Sequence, residues 1–267
     1  MFKDKYGSWA VVAGGSDGIG AAFGRALAAR GLDVMLLARN AGTLERLADE
    51  IRSESPGVEV RTLCVDLSIE NAAARVMAAT DALDIGLLVY NVGSEPKYGQ
   101  FLDHEWDFVH GRMYRNFVTK TALTHHFGRR MRARGSGGII LMGSMSGYFG
   151  NPGFSLYSAS KAFTRYLAEG LWYEMKQANI DLLCPVVGPT DTPTMRNAYG
   201  VLENAMAPDD VAVSALDALG SGPIWIGEDI APQIKAMEAM APAERSALSA
   251  RWAEDFVLHG KKPGAQA

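Results

Sequence analysis

The chain has 267 residues, a net charge of −4 and 48% hydrophobic residues, which is the balance of a protein with a full hydrophobic core. This acidic chain gives no reason to expect nucleic acid or an anionic membrane as a partner. No apolar run reaches the roughly 18–20 residues that span a bilayer. The N-terminal residues also lack the long apolar stretch and cleavage site of a secretion signal.

The cysteines and histidines exclude two further kinds of site. Cys64 and Cys184 each lie in an apolar, strand-like run. We therefore expect buried free thiols in a reducing compartment, and a cytoplasmic location follows. The five histidines show no pair at ligand spacing beside cysteines or carboxylates, so no metal site is predicted. Met145 stands where a G-x-S-x-G hydrolase elbow needs its serine, which excludes that motif.

Apolar runs and helical patterns alternate along the chain without a repeat or a linker. The predicted strands cover 9–13, 33–38, 58–65, 83–90, 137–142, 180–187 and 224–226. The predicted helices run to about residue 30 and over about 41–53, 101–132, 157–177, 208–219 and 243–259. This alternation predicts an α/β fold with one doubly wound, Rossmann-type domain over 1–267 and a central parallel sheet of about seven strands.

The first strand leads into a glycine-rich turn that opens an alanine-rich helix. Such a turn lets backbone N–H groups approach a pyrophosphate, and the helix dipole favours the anion. The alternative is a tight structural turn that binds no ligand, but the position of the glycines between a strand and a helix favours phosphate binding. The predicted cofactor contacts in this turn are Gly14, Ser16, Asp17, Gly18, Ile19 and Gly20.

The end of the second strand indicates which cofactor binds. In a dinucleotide fold this strand end meets the adenine ribose, where a carboxylate binds the 2′-hydroxyl and an arginine pairs with a 2′-phosphate. Ala38 and Arg39 occupy the two candidate positions, followed by Asn40. The sequence therefore predicts NADP(H) rather than NAD(H). Asp17 opposes this assignment, because its charge would repel the phosphate.

Polar residues also follow the third and fourth strands. Asp66, with Leu67 beside it, either caps the next helix or contacts the adenine amino group. Asn91 and Gly93 close the crevice at the carboxyl ends of the strands. These four residues complete the predicted adenosine side of the cofactor site.

Tyr157 and Lys161 stand four residues apart, so a helix places both side chains on one face. An ammonium beside a phenol favours the phenolate, which makes the tyrosine a usable proton donor or acceptor at neutral pH. A Tyr–Lys pair at this spacing is nearly expected by chance in a chain of this length. The pair therefore indicates a catalytic site only together with the other motifs.

Five motifs in this order resemble those of the short-chain dehydrogenase/reductase family. They are the loop 13–20, Y-N-V-G at 90–93, Ser144, Tyr157-x-x-x-Lys161 and the segment 188–192. Ser144 precedes Tyr157 by the interval of the family's catalytic serine. The cofactor half is also similar to the branch of 17β-hydroxysteroid dehydrogenases and 3-oxoacyl reductases.

The resemblance implies an NADP(H)-dependent oxidoreductase that interconverts a ketone and a secondary alcohol. Tyr157 would transfer the proton, Lys161 would bind the nicotinamide ribose, and Ser144 would donate to the substrate oxygen. The resemblance also implies that Gly188, Thr190 and Thr192 contact the cofactor. A homodimer or homotetramer is expected, built on the helices at 106–132 and 157–177.

Two segments are candidates for substrate contact. Residues 193–207 form the predicted substrate lid, and 228–260 form a helical extension over the entrance or toward another subunit. Six large side chains would make the substrate a fairly apolar small molecule, steroid-like, acyl or aromatic. They are Tyr148, Phe149, Phe154, Met195, Tyr199 and Met206.

The asparagine of the family's catalytic set is missing from its usual place. Counting from Trp106, that place falls on Met113, and the nearest asparagine is Asn116. Either Asn116 serves after a small shift in alignment, or the relay through Lys161 is built otherwise, and the sequence favours the second. The missing asparagine is also the support for an alternative function, a non-catalytic NADP(H)-binding sensor.

Overall fold

Strands and helices alternate along the chain in the computed structural model, which describes residues 2–94, 97–202 and 205–259. The strands are β1 (Trp9–Ala13), β2 (Asp33–Ala38), β3 (Val60–Cys64), β4 (Ile85–Tyr90), β5 (Gly137–Leu141), β6 (Ile180–Val186) and β7 (Ile224–Ile226). The α-helices are α1 (Phe2–Tyr6), α2 (Gly18–Ala29), α3 (Ala41–Glu54), α4 (Ala72–Thr80), α5 (Trp106–Met113), α6 (Thr119–Arg134), α7 (Ser155–Gln177), α8 (Pro193–Tyr199), α9 (Pro208–Ala218), α10 (Ala231–Glu238) and α11 (Pro242–His259).

The strands form one parallel sheet in the order β3-β2-β1-β4-β5-β6-β7. Ala13 at the end of β1 pairs with Leu37 on β2 and with Tyr90 on β4. The strand order reverses between β1 and β4, and this switch point opens a crevice at the carboxyl ends of the strands. The predicted doubly wound sheet of about seven strands is confirmed.

Helices cover both faces of the sheet, which explains why its central strands read as unbroken apolar runs. Every residue of β1, β4 and β5 is buried. Phe23 on α2 and Leu44 on α3 pack on one face, and Leu123 and Phe127 on α6 pack on the other. None of the described helices combines the length and the apolar content that crossing a membrane requires.

The single helix predicted over 101–132 is wrong. The helix begins at α5 and changes to a π-helical turn over Tyr114–Val118 before α6 begins. The hydroxyl of Tyr90 donates to the carbonyl of Arg115 at 2.6 Å, and the N–H of Thr119 bonds the carbonyl five residues earlier. A side chain that engages a helix carbonyl from outside favours such a wide turn.

The prediction that both cysteines are buried is wrong for Cys64. Cys184 is buried in β6, whereas Cys64 ends β3, the edge strand of the sheet, and is exposed. The thiol of Cys64 donates to the carbonyl of Arg39 at 3.2 Å. Both thiols are free.

The two segments predicted for substrate contact contain more helix than the sequence indicated. Helix α8 occupies the first half of the predicted lid, and Met206 returns beside Thr190 through a β-bridge. Residues 203 and 204 of the lid lie outside the described residues. Helices α10 and α11 form the extension, of which residue 260 lies outside the described residues.

Candidate active site

One cavity of about 620 Å³ occupies the crevice at the carboxyl edge of the sheet, and its volume is within the range of small-molecule sites. The loops after β1 to β6 line it, so residues far apart in sequence meet there. The predicted site residues that line it are Gly14, Ser16, Asp17, Gly18, Ile19, Arg39, Asn40, Asp66, Leu67, Asn91, Gly93, Ser144, Tyr157, Lys161, Gly188, Thr190 and Thr192.

Gly20 is the predicted site residue that does not line the cavity. A Cβ at this position would lie 1.8 Å from the carbonyl oxygen of Gly14, so only glycine lets α2 pack this closely behind the turn. The side chain of Asn91 donates to the same carbonyl at 3.2 Å. Gly20 and Asn91 thus hold the shape of the turn from behind and from β4.

The first turn of α2 presents the backbone groups that an anion needs. The helix has 12 residues, and the first N–H groups of a helix have no partner within it. Asp17 precedes the helix without a side-chain hydrogen bond to it. Burial raises the pKa of Asp17.

Asp66 and Arg39 both line the cavity, and the charge of Arg39 acts on the Asp66 carboxyl. Burial alone would raise the pKa of Asp66, but the N–H and the hydroxyl of Ser68, at 2.9 and 2.6 Å, together with Arg39 and Arg115 hold it below its usual value. Asp66 is therefore a carboxylate at neutral pH. Its Oδ1 accepts two hydrogen bonds from Ser68, which holds the carboxylate at the start of the loop after β3.

Ser144, Tyr157 and Lys161 converge at the other end of the cavity. Ser144 is 8% exposed, and its Oγ accepts the N–H of Ser146 at 3.2 Å, so its O–H is oriented to donate elsewhere. Tyr157 and Lys161 share a face of α7, and the Lys161 Nζ lies 5.4 Å from the centre of the Tyr157 ring. The structure thus brings the three predicted catalytic residues together.

Lys161 is held inside the protein. It is 5% exposed, and its Nζ donates to the carbonyl of Met142 at 2.9 Å. Burial lowers the pKa of Lys161 from 10.5 to about 8. The ammonium therefore predominates at pH 7, but it loses its proton far more readily than a lysine at the surface.

Asn116 is buried close to Gly93 and Lys161, behind this end of the cavity, which favours the first of the two alternatives for the missing asparagine. Asn116 is 2% exposed. A Cβ placed on Gly93 would lie 2.9 Å from the Asn116 Oδ1 and 4.0 Å from the Lys161 Nζ. Asn116 lies within the π-helical turn, and the wider winding there changes the direction of its side chain relative to a regular α-helix. The sequence preference for a relay without Asn116 is not supported by this geometry.

The C-terminal helix α11 belongs to the extension expected over the entrance or toward another subunit, and it lines the outer part of the cavity through residues that the sequence did not single out. Trp252 and Ala253 contribute to its wall. Ser249, one turn earlier and fully buried, donates to the carbonyl of Gly150 at 2.7 Å and attaches α11 to the loop before α7. Apolar residues at helical spacing do not reveal which surface they cover, so no sequence signal could have located this contact.

The outer part of the cavity is largely apolar, as predicted from the large side chains around it. Phe149, Phe154, Met195 and Tyr199 line the cavity. Tyr148 and Met206 were also predicted there, but they pack against the core instead. Arg165 covers the Tyr148 ring at 4.2 Å.

A Rossmann-type sheet that brings a glycine turn, a serine and a Tyr–Lys pair to one crevice defines the class of dinucleotide-binding oxidoreductases. The chain belongs to the short-chain dehydrogenase family, because the family profile of that description matches residues 8–200. The resemblance inferred from the five motifs is thereby confirmed.

Individual relatives point in the same direction. The chain is 37% identical over 225 residues to a 7beta-hydroxysteroid dehydrogenase of Clostridium sardiniense, covering 82% of this chain and 85% of the relative. A solved 7beta-hydroxysteroid dehydrogenase is similar with a TM-score of 0.87 at 29% identity, covering 93% of this chain and 98% of the other. A short-chain dehydrogenase from Sphingobium yanoikuyae in complex with NADPH gives a TM-score of 0.76 at 28% identity, covering 97% and 98%.

Proposed function

We propose that the protein is an NADP(H)-dependent oxidoreductase that interconverts a ketone and a secondary alcohol on a fairly apolar small molecule. The observation that carries this proposal is the convergence of Ser144, Tyr157 and Lys161 on a cavity that also contains the glycine turn. The intact catalytic set gives the alternative, a non-catalytic sensor, no support.

The side chains can perform the proton part of this reaction. Bound NADP(H) supplies the hydride in reduction and accepts it in oxidation. Tyr157 gives its proton to the carbonyl oxygen in reduction and takes it back in oxidation. Ser144 donates to the same oxygen and stabilises its developing charge. Lys161 stabilises the phenolate that Tyr157 becomes, and Asn116 extends the hydrogen-bonded relay behind it.

The residues of the crevice fit a nicotinamide dinucleotide. The N-terminus of α2 suits the pyrophosphate, Asp66 suits the adenine amino group, and Lys161 suits the nicotinamide ribose. Gly188, Thr190 and Thr192 line the opposite wall, where a carboxamide would lie. Thr192 also caps α8 by accepting the N–H of Met195 at 3.3 Å, so a bound carboxamide would be coupled to the start of the lid.

The cofactor preference is proposed from Arg39. This arginine follows β2 and is exposed at the cavity wall, with no carboxylate at its position or at Ala38. A guanidinium there pairs with a 2′-phosphate. The NADPH bound to the relative from Sphingobium yanoikuyae supports this choice.

Arg39→Met is expected to weaken NADP⁺ binding by about tenfold or more, because a charge-assisted phosphate contact is worth about 1.5–3 kcal/mol. NAD⁺, which lacks the 2′-phosphate, should bind the variant as it binds the wild type. Isothermal titration with both dinucleotides measures this, and Arg129→Met on exposed α6 surface is the matched control. Tighter binding of NAD⁺ than of NADP⁺ by the wild type would show that the cofactor preference is wrong.

The substrate is proposed to be a bulky, steroid-like ketone or alcohol. The relatives are named for a hydroxysteroid substrate. In this protein, an apolar wall that could hold such a molecule is formed by Phe149, Phe154, Tyr199 and Trp252. NADPH oxidation in the presence of a 7-oxo steroid is the direct test. Failure of this steroid, of acyl ketones and of aromatic ketones to react would overturn the proposed activity.

Trp252→Ala is expected to raise KM for a steroid-like ketone by about tenfold, since it removes up to about 1.5–3 kcal/mol of apolar contact. A small ketone that does not reach α11 should keep its KM, because the catalytic residues are unchanged. Steady-state kinetics with both substrates separate these effects. An equal rise in KM for both would show that Trp252 supports the fold instead of the substrate.

A homodimer or homotetramer and a cytoplasmic location stay predictions. Large apolar side chains are exposed on the helices expected at the interface, among them Trp106 at 65%, Tyr166 at 64% and Tyr173 at 66%. Exposed apolar surface of this kind is typical of protein–protein contacts. Sedimentation velocity of the purified protein measures the oligomeric state.

A further inference from the structure

Arg115 is a charged, half-buried side chain in the crevice that the mechanism above does not use. It lines the same cavity as Asp66. Its Nη2 donates to the carbonyl of Ser94 at 3.4 Å, and its Nε donates to the Oδ1 of Asn116 at 3.2 Å. One guanidinium therefore contacts both the loop after β4 and the asparagine beside Lys161.

The π-helical turn explains why this side chain enters the crevice. The carbonyl of Arg115 accepts the hydroxyl of Tyr90 at 2.6 Å. Tyr90 is fully buried at the end of β4, so the bond attaches the backbone of Arg115 to the sheet. Wide turns of this kind often lie at functional sites. A buried anchor therefore fixes the backbone from which the Arg115 side chain extends.

The charge of Arg115 affects the pKa of Asp66. Although burial favours protonation, Arg39 and Arg115 add to the Ser68 hydrogen bonds in lowering the pKa of Asp66. Asp66 is assigned to the adenine amino group, and Arg115 lines the same cavity as Asp66, so its guanidinium can meet a cofactor that occupies this cavity. A planar guanidinium is suited to packing on an aromatic ring.

We propose that Arg115 binds the adenine end of the cofactor and orients the carboxamide of Asn116, so that occupation of the adenine pocket positions the proton relay. This inference rests on the proposed function, because it takes a nicotinamide dinucleotide as the ligand. The guanidinium plane packs against adenine, while the Nε–H bond holds the Oδ1 of Asn116. Arg115 is thus a cofactor-binding residue and, toward Lys161, a positioning residue.

Titration calorimetry with both dinucleotides tests whether Arg115 binds the adenine end of the cofactor. Arg115→Met keeps the apolar stem and removes the guanidinium, so NADP⁺ and NAD⁺ should both bind about tenfold more weakly. Arg39→Met should weaken NADP⁺ alone, which separates an adenine contact from a phosphate contact. Arg112→Met is the matched control, because Arg112 is one turn earlier and also donates to the Ser94 carbonyl, at 3.5 Å.

Steady-state kinetics with saturating cofactor test whether Arg115 orients Asn116 for the proton relay. Arg115→Met should lower kcat about as much as Asn116→Ala does and leave the substrate KM unchanged. Combining the two substitutions should lower kcat no further, because both interrupt the same hydrogen bond. Arg115→Lys keeps the charge without the planar fork, so it should restore part of the binding but little of kcat.

Four outcomes would overturn the inference. Unchanged binding of both dinucleotides by Arg115→Met, or a loss confined to NADP⁺, would remove the adenine contact. Weaker binding with an unchanged kcat would remove the positioning role. Failure of the wild type to bind either dinucleotide would overturn the proposed function itself and this inference with it. Thermal unfolding of each variant shows whether an effect is only a loss of fold.

Discussion

Tyr157→Phe is expected to lower turnover by about 10³-fold, the scale of losing a positioned general acid or base. The substitution removes one hydroxyl from a side chain that lines the cavity on α7, so the shape of the site should persist. NADP⁺ affinity should change little, because the other cofactor contacts are untouched. Measuring kcat with saturating cofactor and NADP⁺ binding on the same sample separates chemistry from binding.

A matched control is available on the same helix. Tyr173 is 66% exposed, so Tyr173→Phe loses the same hydroxyl without approaching the cavity, and its turnover should equal that of the wild type. A Tyr157→Phe variant that keeps a tenth or more of the wild-type turnover would show that another group transfers the proton. No turnover by the wild type with any ketone or alcohol would revive the sensor hypothesis.

Lys161→Met is expected to lower turnover by about 10²-fold or more, because Tyr157 loses the ammonium that stabilises its phenolate. It should also weaken cofactor binding, since Lys161 would contact the nicotinamide ribose. The control is Lys176→Met on the exposed surface of α7, which should leave both quantities unchanged. Initial rates and titrations with NADP⁺ measure the two effects.

The same substitution should stabilise the protein at pH 7. Burial lowers the pKa of Lys161 from 10.5 to about 8, and this difference corresponds to about 3 kcal/mol of destabilisation. Losing the hydrogen bond to Met142 costs about 1 kcal/mol, so the net gain of Lys161→Met is about 2 kcal/mol. Chemical denaturation of the variant and the wild type measures it.

The stability difference between Lys161→Met and the wild type should depend on pH. Below about pH 8 both the folded and the unfolded wild type carry the Lys161 proton, and the full free-energy cost of burial applies. Between about pH 8 and 10.5 the unfolded chain binds more protons, so the stability of the wild type rises with pH. The advantage of Lys161→Met should therefore shrink across this window. A constant difference in unfolding free energy would contradict the lowered pKa.

The central strands of the sheet could be predicted closely because each is an apolar run bounded by turn residues. Burial on both faces leaves no polar position in β1, β4 or β5, so these strands stand out without knowledge of their partners. The strand ends also place the site, because parallel strands present their carboxyl ends at one edge. The edge strand β3 is shorter than predicted, and Cys64 is exposed there.

The helix before β5 could not be predicted correctly, because its break depends on a distant residue. Tyr90 engages the carbonyl of Arg115 across 25 positions, and nothing in the local sequence announces that bond. The break changes which residues face the crevice. Sequence spacing therefore disfavours Asn116 for the relay and does not indicate Arg115.

Local spacing by itself determined that Tyr157 and Lys161 share a helix face, that a glycine turn opens α2, and that strands alternate with helices. Each of these follows from the period of a helix or from the conformational needs of a turn. Tertiary structure decided what lies beside them. It brought Asn116 and Gly93 to Lys161, Arg115 to the cavity that Asp66 lines, and Trp252 on α11 to the wall of that cavity. These contacts join segments that the chain separates, and packing in three dimensions selects them.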